Sequence, residues 1–181
     1  MVIKPSFPYF FKMINTIHYK SPLGDILLAS KNNKLIGAWF EGQKYYMSNV
    51  PEDLTEKADE MLLKTIDWLD RYFDGEKPSI KELNLEPQGS DFRCEVWKIL
   101  CEIPYGKTAT YGDIASKIAE NRGIEKMSAR AVGGAVGHNP ISIIIPCHRV
   151  IGSDNSLCGY AGGLDRKSFL LNHENSIFHN F

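Results

Sequence analysis

An α+β protein in two parts is what this 181-residue chain predicts: a mixed sheet-and-helix first half and a mainly helical second half. Three observations carry that expectation. Residues 25–30 and 35–40 alternate and are rich in Leu, Ile, Trp and Phe on either side of "KNNK", the pattern of a β-hairpin. From Ala58 to Phe73 the apolar residues return at helical spacing instead. The Pro- and Gly-bearing stretch "KPSIKELNLEPQGS" then marks a boundary, dividing the chain at 1–88 and 89–181.

Taken in order, residues 1–12 read as an extension, with Met13 nearer the start of the compact fold. Pro5, Pro8 and Lys12 interrupt its apolar patches, and no small-residue cleavage site follows, which argues against a signal peptide. After the hairpin, Ala58, Met61, Leu62, Thr65, Ile66, Leu69, Tyr72 and Phe73 form one helical face that Gly75 ends. Beyond the boundary, Phe92, Val96, Ile99, Leu100 and Ile103 give a helix stopped before Pro104. Thr110 and Asp113 fit a capping box opening a helix with Ile114, Ala115 and Ile118 inward. Ser128 can cap the next helix, "ARAVGGAVG", whose lack of bulk lets something large approach its backbone. The two together resemble a helix-turn-helix. "NPISIII" reads as a short buried strand that Pro146 ends at Cys147, and a last helix runs through "LDRKSFLLNHE".

Composition sets limits on function. With 43% apolar and 24% charged residues the chain has the balance of a soluble globular protein. No apolar stretch is long enough to span a bilayer, so no membrane partner is expected. The net charge of −1 argues weakly against a nucleic-acid partner, but it is uneven: residues 1–90 carry −2 and 91–181 carry +1. Lys117, Arg122, Lys126 and Arg130 outnumber Glu120 and Glu125, so any DNA contact would come from a small patch. The four cysteines (Cys94, Cys101, Cys147, Cys158) form no CxxC pair and read as reduced, intracellular thiols. Cys94 and Cys101 would lie roughly 10 Å apart on one helix, too far to bridge.

Chemistry concentrates in "SIIIPCHRVIG". A thiol attacks as thiolate, which requires a nearby base, itself oriented by a third group. Adjacent strand residues point to opposite faces, but Pro146 permits a turn in which Cys147 and His148 face one cavity. Glu174 is the carboxylate in a comparable setting, so a Cys147–His148–Glu174 relay can form directly or through water. The residues alone leave a second reading open, Cys147 as an inert buried thiol. Zinc binding lacks ligand spacing.

"IPCHRVIG", preceded by "RAVGGAVGHNP" and followed by "GYAGGLDRKSFLLNHE", closely resembles the O6-alkylguanine–DNA alkyltransferases, the methylated-DNA–protein-cysteine methyltransferases. The resemblance covers about residues 90–175, and the hairpin and helix before it agree with that family's variable first domain. It implies that Cys147 accepts the alkyl group in a single displacement, with no cofactor and no metal. His148 would take the thiol proton through a water, Glu174 would hold the imidazole, Tyr111 would donate to guanine N3, and Asn139 would tie the recognition helix to the active turn. The backbone at Tyr160–Ala161 and the Lys167 region would frame O6, while carbonyls of Cys147 and Val150 would accept from the base's amino group. The partner implied is double-stranded DNA met through its minor groove by a monomer. There Arg130 would fill the stack after the base rotates out, on a helix kept slim by Ala129, Ala131, Gly133 and Gly134 and capped by Ser128. Arg149 is expected to be a structural ion-pair residue.

Two departures from the family stand out: an extended segment "AENRGIEKM" between the helices, and Arg93 where glutamine is usual. Gly162, without a side chain, is expected to leave the pocket rim open to bulky groups such as benzyl. Two other classes of function compete: a non-enzymatic binder of alkylated DNA, whose known relatives lack the cysteine, and a thiol hydrolase, which would turn over many times. The residues do not separate O6-alkylguanine from O4-alkylthymine. An intracellular location follows from the DNA partner, cytoplasmic in a prokaryote and nuclear in a eukaryote.

Overall fold

Strands β1 (Ile14–Ser21), β2 (Gly24–Lys31) and β3 (Lys34–Phe40) form an antiparallel meander, and β4 (Leu54–Glu56) joins β1 in parallel to give the order β3-β2-β1-β4. The computed structural model describes residues 13–48, 50 and 54–174, so the expected N-terminal extension lies outside the described residues. The β2–β3 turn falls on Asn32 and Asn33, both left-handed at φ 52° and 59°. That is the backbone a two-residue hairpin turn needs, and asparagine tolerates it. Strand β1 went unread in the sequence because its apolar residues are interrupted by polar ones on both faces.

Helix α1 (Glu60–Phe73) packs its Met61, Leu62, Leu69 and Tyr72 face against the sheet. Its cap is Asp59, whose carboxylate accepts from Leu62 N at 2.9 Å and also holds Asn15 and Ser30 of the strands. Helix α2 (Asp91–Leu100) ends earlier than its apolar pattern, and a turn rather than helix carries Ile103 to Pro104. Helix α3 (Tyr111–Arg122) opens with the expected Thr110/Asp113 capping box and closes at left-handed Gly123. Helix α4 (Ala129–Gly137) is capped by Ser128, whose hydroxyl accepts from Ala131 N. A parallel two-stranded pair, β5 (Ala109–Thr110) with β6 (Val150–Ile151), and α5 (Leu164–His173) complete the architecture.

The strand expected over "NPISIII" is buried as anticipated but is reduced to a one-residue bridge, Ile141 beside Ala38. Tight turns take its place: Ile144 N donates to Ser142 O at 2.8 Å, Ile145 N to Ile141 O at 3.1 Å, and Ile143 is left-handed at φ 69°. A short apolar run signals burial without specifying a strand. Here it fills the junction between sheet and helices, and one buried cluster runs unbroken from Leu28 and Phe40 through Leu69, Val96, Ile118 and Val132 to Ile144 and Leu170. No described helix is long and apolar enough to cross a membrane.

Candidate active site

Pro146 leads into a single 3-10 turn, Cys147–Arg149, in which all three side chains are buried. The turn is built by Asn139, itself 3% exposed. Its carboxamide oxygen accepts from Ile141 N at 3.0 Å, while Nδ2 donates to Ile145 O at 2.9 Å and to Cys147 Sγ at 3.0 Å. One side chain thus supplies the partners a strand ladder would have given and aims a donor at the sulfur. Burial pushes the Cys147 thiol up, opposed by the Asn139 bond, the Lys167 charge and the amides of Cys147 and His148.

Behind the sulfur lies a carboxylate cluster. Glu174, at the end of α5, meets His148 Nε2 through Oε1 at 2.7 Å. Arg149 holds the same carboxylate with Nε to Oε2 at 2.8 Å and Nη2 to Oε1 at 3.0 Å, and spends its remaining nitrogen Nη1 on Ile103 O at 2.6 Å. The Gly106 amide and the Tyr72 hydroxyl also donate to Glu174, at 3.1 and 2.8 Å. Burial pushes the Glu174 carboxyl up, but the bonds from His148 and Arg149 outweigh it and hold it well below the usual carboxylate range. Burial also pushes the His148 imidazole down, with Glu174 opposing. At neutral pH the order is therefore thiol, neutral imidazole, carboxylate. Nδ1 of His148 is buried with no hydrogen-bond partner, leaving it the nitrogen open to a proton. Arg149 is an ion-pair residue, as expected.

The other predicted residues gather on the far side of Cys147. Lys167 is fully buried and donates to the carbonyls of Val150 at 2.5 Å, Cys158 at 2.7 Å and Gly159 at 3.3 Å. The Val150 carbonyl thus already holds one donor, and the Cys147 carbonyl holds another, Val150 N. Tyr111 lends its hydroxyl to Cys158 O at 3.1 Å and sets its ring against Gly133, where a Cβ would sit 3.7 Å away. A cleft of about 170 Å³ opens there, between Tyr111, Gly133 and Gly137 on one side and Gly159, Tyr160 and Ala161 on the other. Cys147 itself lines neither this cleft nor the larger ones beside α1, between α3 and α4 and at residues 159–164. Ser128, Ala129, Arg130, Ala131 and Gly134 lie exposed along α4, and Arg130 has no hydrogen bond or ion pair among the described residues.

Gly162 is placed differently from its expectation. It is buried, and a Cβ there would lie 2.7 Å from the Tyr160 ring and 3.2 Å from Phe40. Its missing side chain makes room for Tyr160, and the cleft of about 480 Å³ that it lines with Gln43 and Lys44 is not lined by Cys147, so it lends no support to the acceptance of bulky groups. Among the described residues no group of three or more His, Cys, Asp or Glu side chains could hold a metal ion.

Two family models match the chain: "6-O-methylguanine DNA methyltransferase, ribonuclease-like domain" over residues 15–87, and the DNA binding domain of the same name over residues 91–176. A methylated-DNA–protein-cysteine methyltransferase of Methanosarcina barkeri is 47% identical over 156 residues, covering 86% of this chain and 93% of the relative. The chain belongs to the 6-O-methylguanine DNA methyltransferase family. A second relative with the same name, from Haemophilus influenzae, is 41% identical over 87% of this chain and 84% of its own. Among solved structures, Mycobacterium tuberculosis OGT in complex with DNA superimposes with a TM-score of 0.76 at 40% identity, covering 91% of this chain and 93% of that one.

Several residues at this family site escaped the sequence reading. Lys44 and Tyr45 wall the cleft from the first half of the chain: Lys44 N donates to Ala161 O at 3.0 Å, and the Tyr45 ring stacks on His138 with centroids 3.7 Å apart. A left-handed φ of 59° at Tyr45 turns the loop toward α4, and nothing in "GQKYYMS" announces it. In the sequence Tyr72 is one more apolar position of a helix, and its ring does pack there. Gly106, whose amide reaches Glu174, carries no side chain that could signal it in the sequence.

Proposed function

We propose that this protein repairs double-stranded DNA by moving a methyl or larger alkyl group from O6 of guanine onto Cys147, once and irreversibly, without a cofactor. One observation carries the reading: a buried thiol held by an amide donor is followed in one turn by a neutral imidazole backed by a carboxylate, and Tyr111, whose environment includes that thiol, walls a cleft under a slim, exposed helix. Family membership supports it, since the relatives are named for this chemistry.

The Cys147 thiol gives its proton, through a water, to His148 Nδ1, and the imidazolium formed is stabilised by Glu174. The sulfur then bonds the alkyl carbon as the carbon–O6 bond breaks and its electron pair passes to the purine. Tyr111 leaves its carbonyl partner to donate at N3, Lys167 and the Tyr160–Ala161 backbone face the developing charge, and the base leaves as guanine after taking up the proton. A thioether has no easy leaving group, so the protein is consumed. Duplex DNA hides O6, so the nucleotide must rotate out, with Arg130 entering from the minor groove and Ser128, Ala129, Ala131 and Gly133 close to the backbone. The reading includes a monomer working intracellularly, and units at 1–88 and 89–181, which the placing of the two family models supports.

Mass spectrometry after incubation with methylated duplex tests it. One methyl is expected on the peptide holding Cys147, with none transferred by Cys147→Ala although that variant still binds DNA. Many products per protein molecule would instead indicate a hydrolase, and methyl gained elsewhere would refute the assignment of Cys147.

A further inference from the structure

One residue from the first half of the chain sits inside the relay of the second. Tyr72, in the last turn of α1, is 1% exposed, and its hydroxyl donates to Oε1 of Glu174 at 2.8 Å. That oxygen is the one His148 Nε2 meets at 2.7 Å. We infer that Tyr72 is a positioning residue for alkyl transfer, fixing the Glu174 carboxylate and restraining its basicity so that His148 stays neutral and able to receive the Cys147 proton. The inference rests on the relay proposed above.

The carboxylate is unusually crowded. Oε1 faces His148, Tyr72 and Arg149 Nη2, and Oε2 faces Arg149 Nε and the Gly106 amide. Each donor draws on lone pairs that would otherwise hold the imidazolium more tightly. Removing the Tyr72 donor therefore strengthens the pull of Glu174 on a charged His148. Packing does not require the hydroxyl. The ring stacks on Trp68 with centroids 5.5 Å apart and meets Tyr105 edge-on, contacts a phenylalanine would keep. The backbone carbonyl of Tyr72 accepts from His173 Nε2 at 2.7 Å, which fixes the end of α5 whatever the side chain. Other charged or titratable groups facing the pair are Arg149, Lys167 and Tyr105, and the His173 ring lies 5.1 Å from that of Tyr72. Burial and the neighbouring Glu174 push the Tyr72 phenol far up, so it remains a donor throughout any working range.

The test uses the full chain with Tyr72→Phe, following the His148 imidazole by ¹⁵N NMR and single-turnover methyl transfer from duplex between pH 5 and 9. The expected result is that the His148 titration and the acid limb of the rate both move upward by about half a pH unit or more. Transfer in the alkaline plateau should change far less. Replacing Tyr72 by 3-fluorotyrosine, a stronger donor of nearly the same shape, should move both the other way, and it decides the matter if Tyr72→Phe does not fold. An unmoved His148 titration, or a rate lowered equally at every pH, would overturn the inference and leave Tyr72 a packing residue. The imidazole titration needs no alkyl transfer, so wild-type protein inactive on methylated DNA would refute the repair reading separately.

Discussion

Asn139 has four hydrogen-bonding contacts inside a space where water does not reach, and one of them is the sulfur. Removing it leaves the Ile141 amide without its partner, at a cost of about 1–3 kcal/mol for the group left unsatisfied, while the Ile145 carbonyl keeps only the bond from Cys147 N at 2.8 Å. It also removes the donor that opposes the burial-raised thiol of Cys147. Asn139→Ala is therefore expected to lower the melting temperature and to slow methyl transfer ~100-fold or more, the size of effect seen when one preorganised donor is lost. Calorimetry and single-turnover kinetics check the two effects separately. A variant that melts early yet transfers at the wild-type rate would reduce Asn139 to a structural residue.

Helix α4 makes a different demand, because its exposed side chains are the contacts proposed for DNA. Its inner face, Val132, Ala135 and Val136, is anchored in the core, and Trp97 Nε1 of α2 donates to Ala135 O at 2.9 Å. The outer face is small side chains and one unpaired guanidinium, Arg130. If Arg130 fills the space of a rotated base, Arg130→Ala should slow transfer from duplex by ~10-fold or more. Transfer from the free base O6-benzylguanine, which needs no rotation, should be unchanged. Equal losses on both substrates would mean that Arg130 acts on the pocket instead. The comparison also measures directly whether a benzyl group passes the Lys44–Tyr45 wall, the question Gly162 no longer answers.

The buried Glu174 cluster also joins the two halves of the molecule, through Tyr72, and it gives the stability of the whole a defined pH dependence. Both Glu174 and His148 have folded pKa values below their ordinary ones. For His148, the unfolded chain takes up a proton below about pH 6.5 that the native site refuses; for Glu174 the same begins below about pH 4.3. Each group therefore contributes stability that is present above its unfolded pKa and lost as pH falls. Melting temperature should decline from pH 7 to pH 4, with a first descent near pH 6 that His148→Gln abolishes. A flat profile from pH 7 to pH 5 would show that His148 is not held neutral.

Local chemistry made much of this legible in the sequence. The Asn-Asn turn, the Thr110/Asp113 box, the Ser128 cap and the helical face from Met61 to Tyr72 each follow from interactions among residues within a few positions of one another. The same holds for Cys147 beside His148 on a turn set by Pro146. What tertiary structure decided has no such local signature. Apolar character buried the isoleucine run, but only the space between sheet and helices, with Asn139 at hand, made it turns rather than a strand. Lys167 could have been solvated until three carbonyls from other segments closed on it. Tyr72 and Glu174 stand 102 residues apart, and a hydroxyl on an otherwise apolar helix face looks the same whether it meets a carboxylate or nothing. Burial and propensity are properties of a segment, whereas a hydrogen bond between segments exists only once the chain has closed on itself.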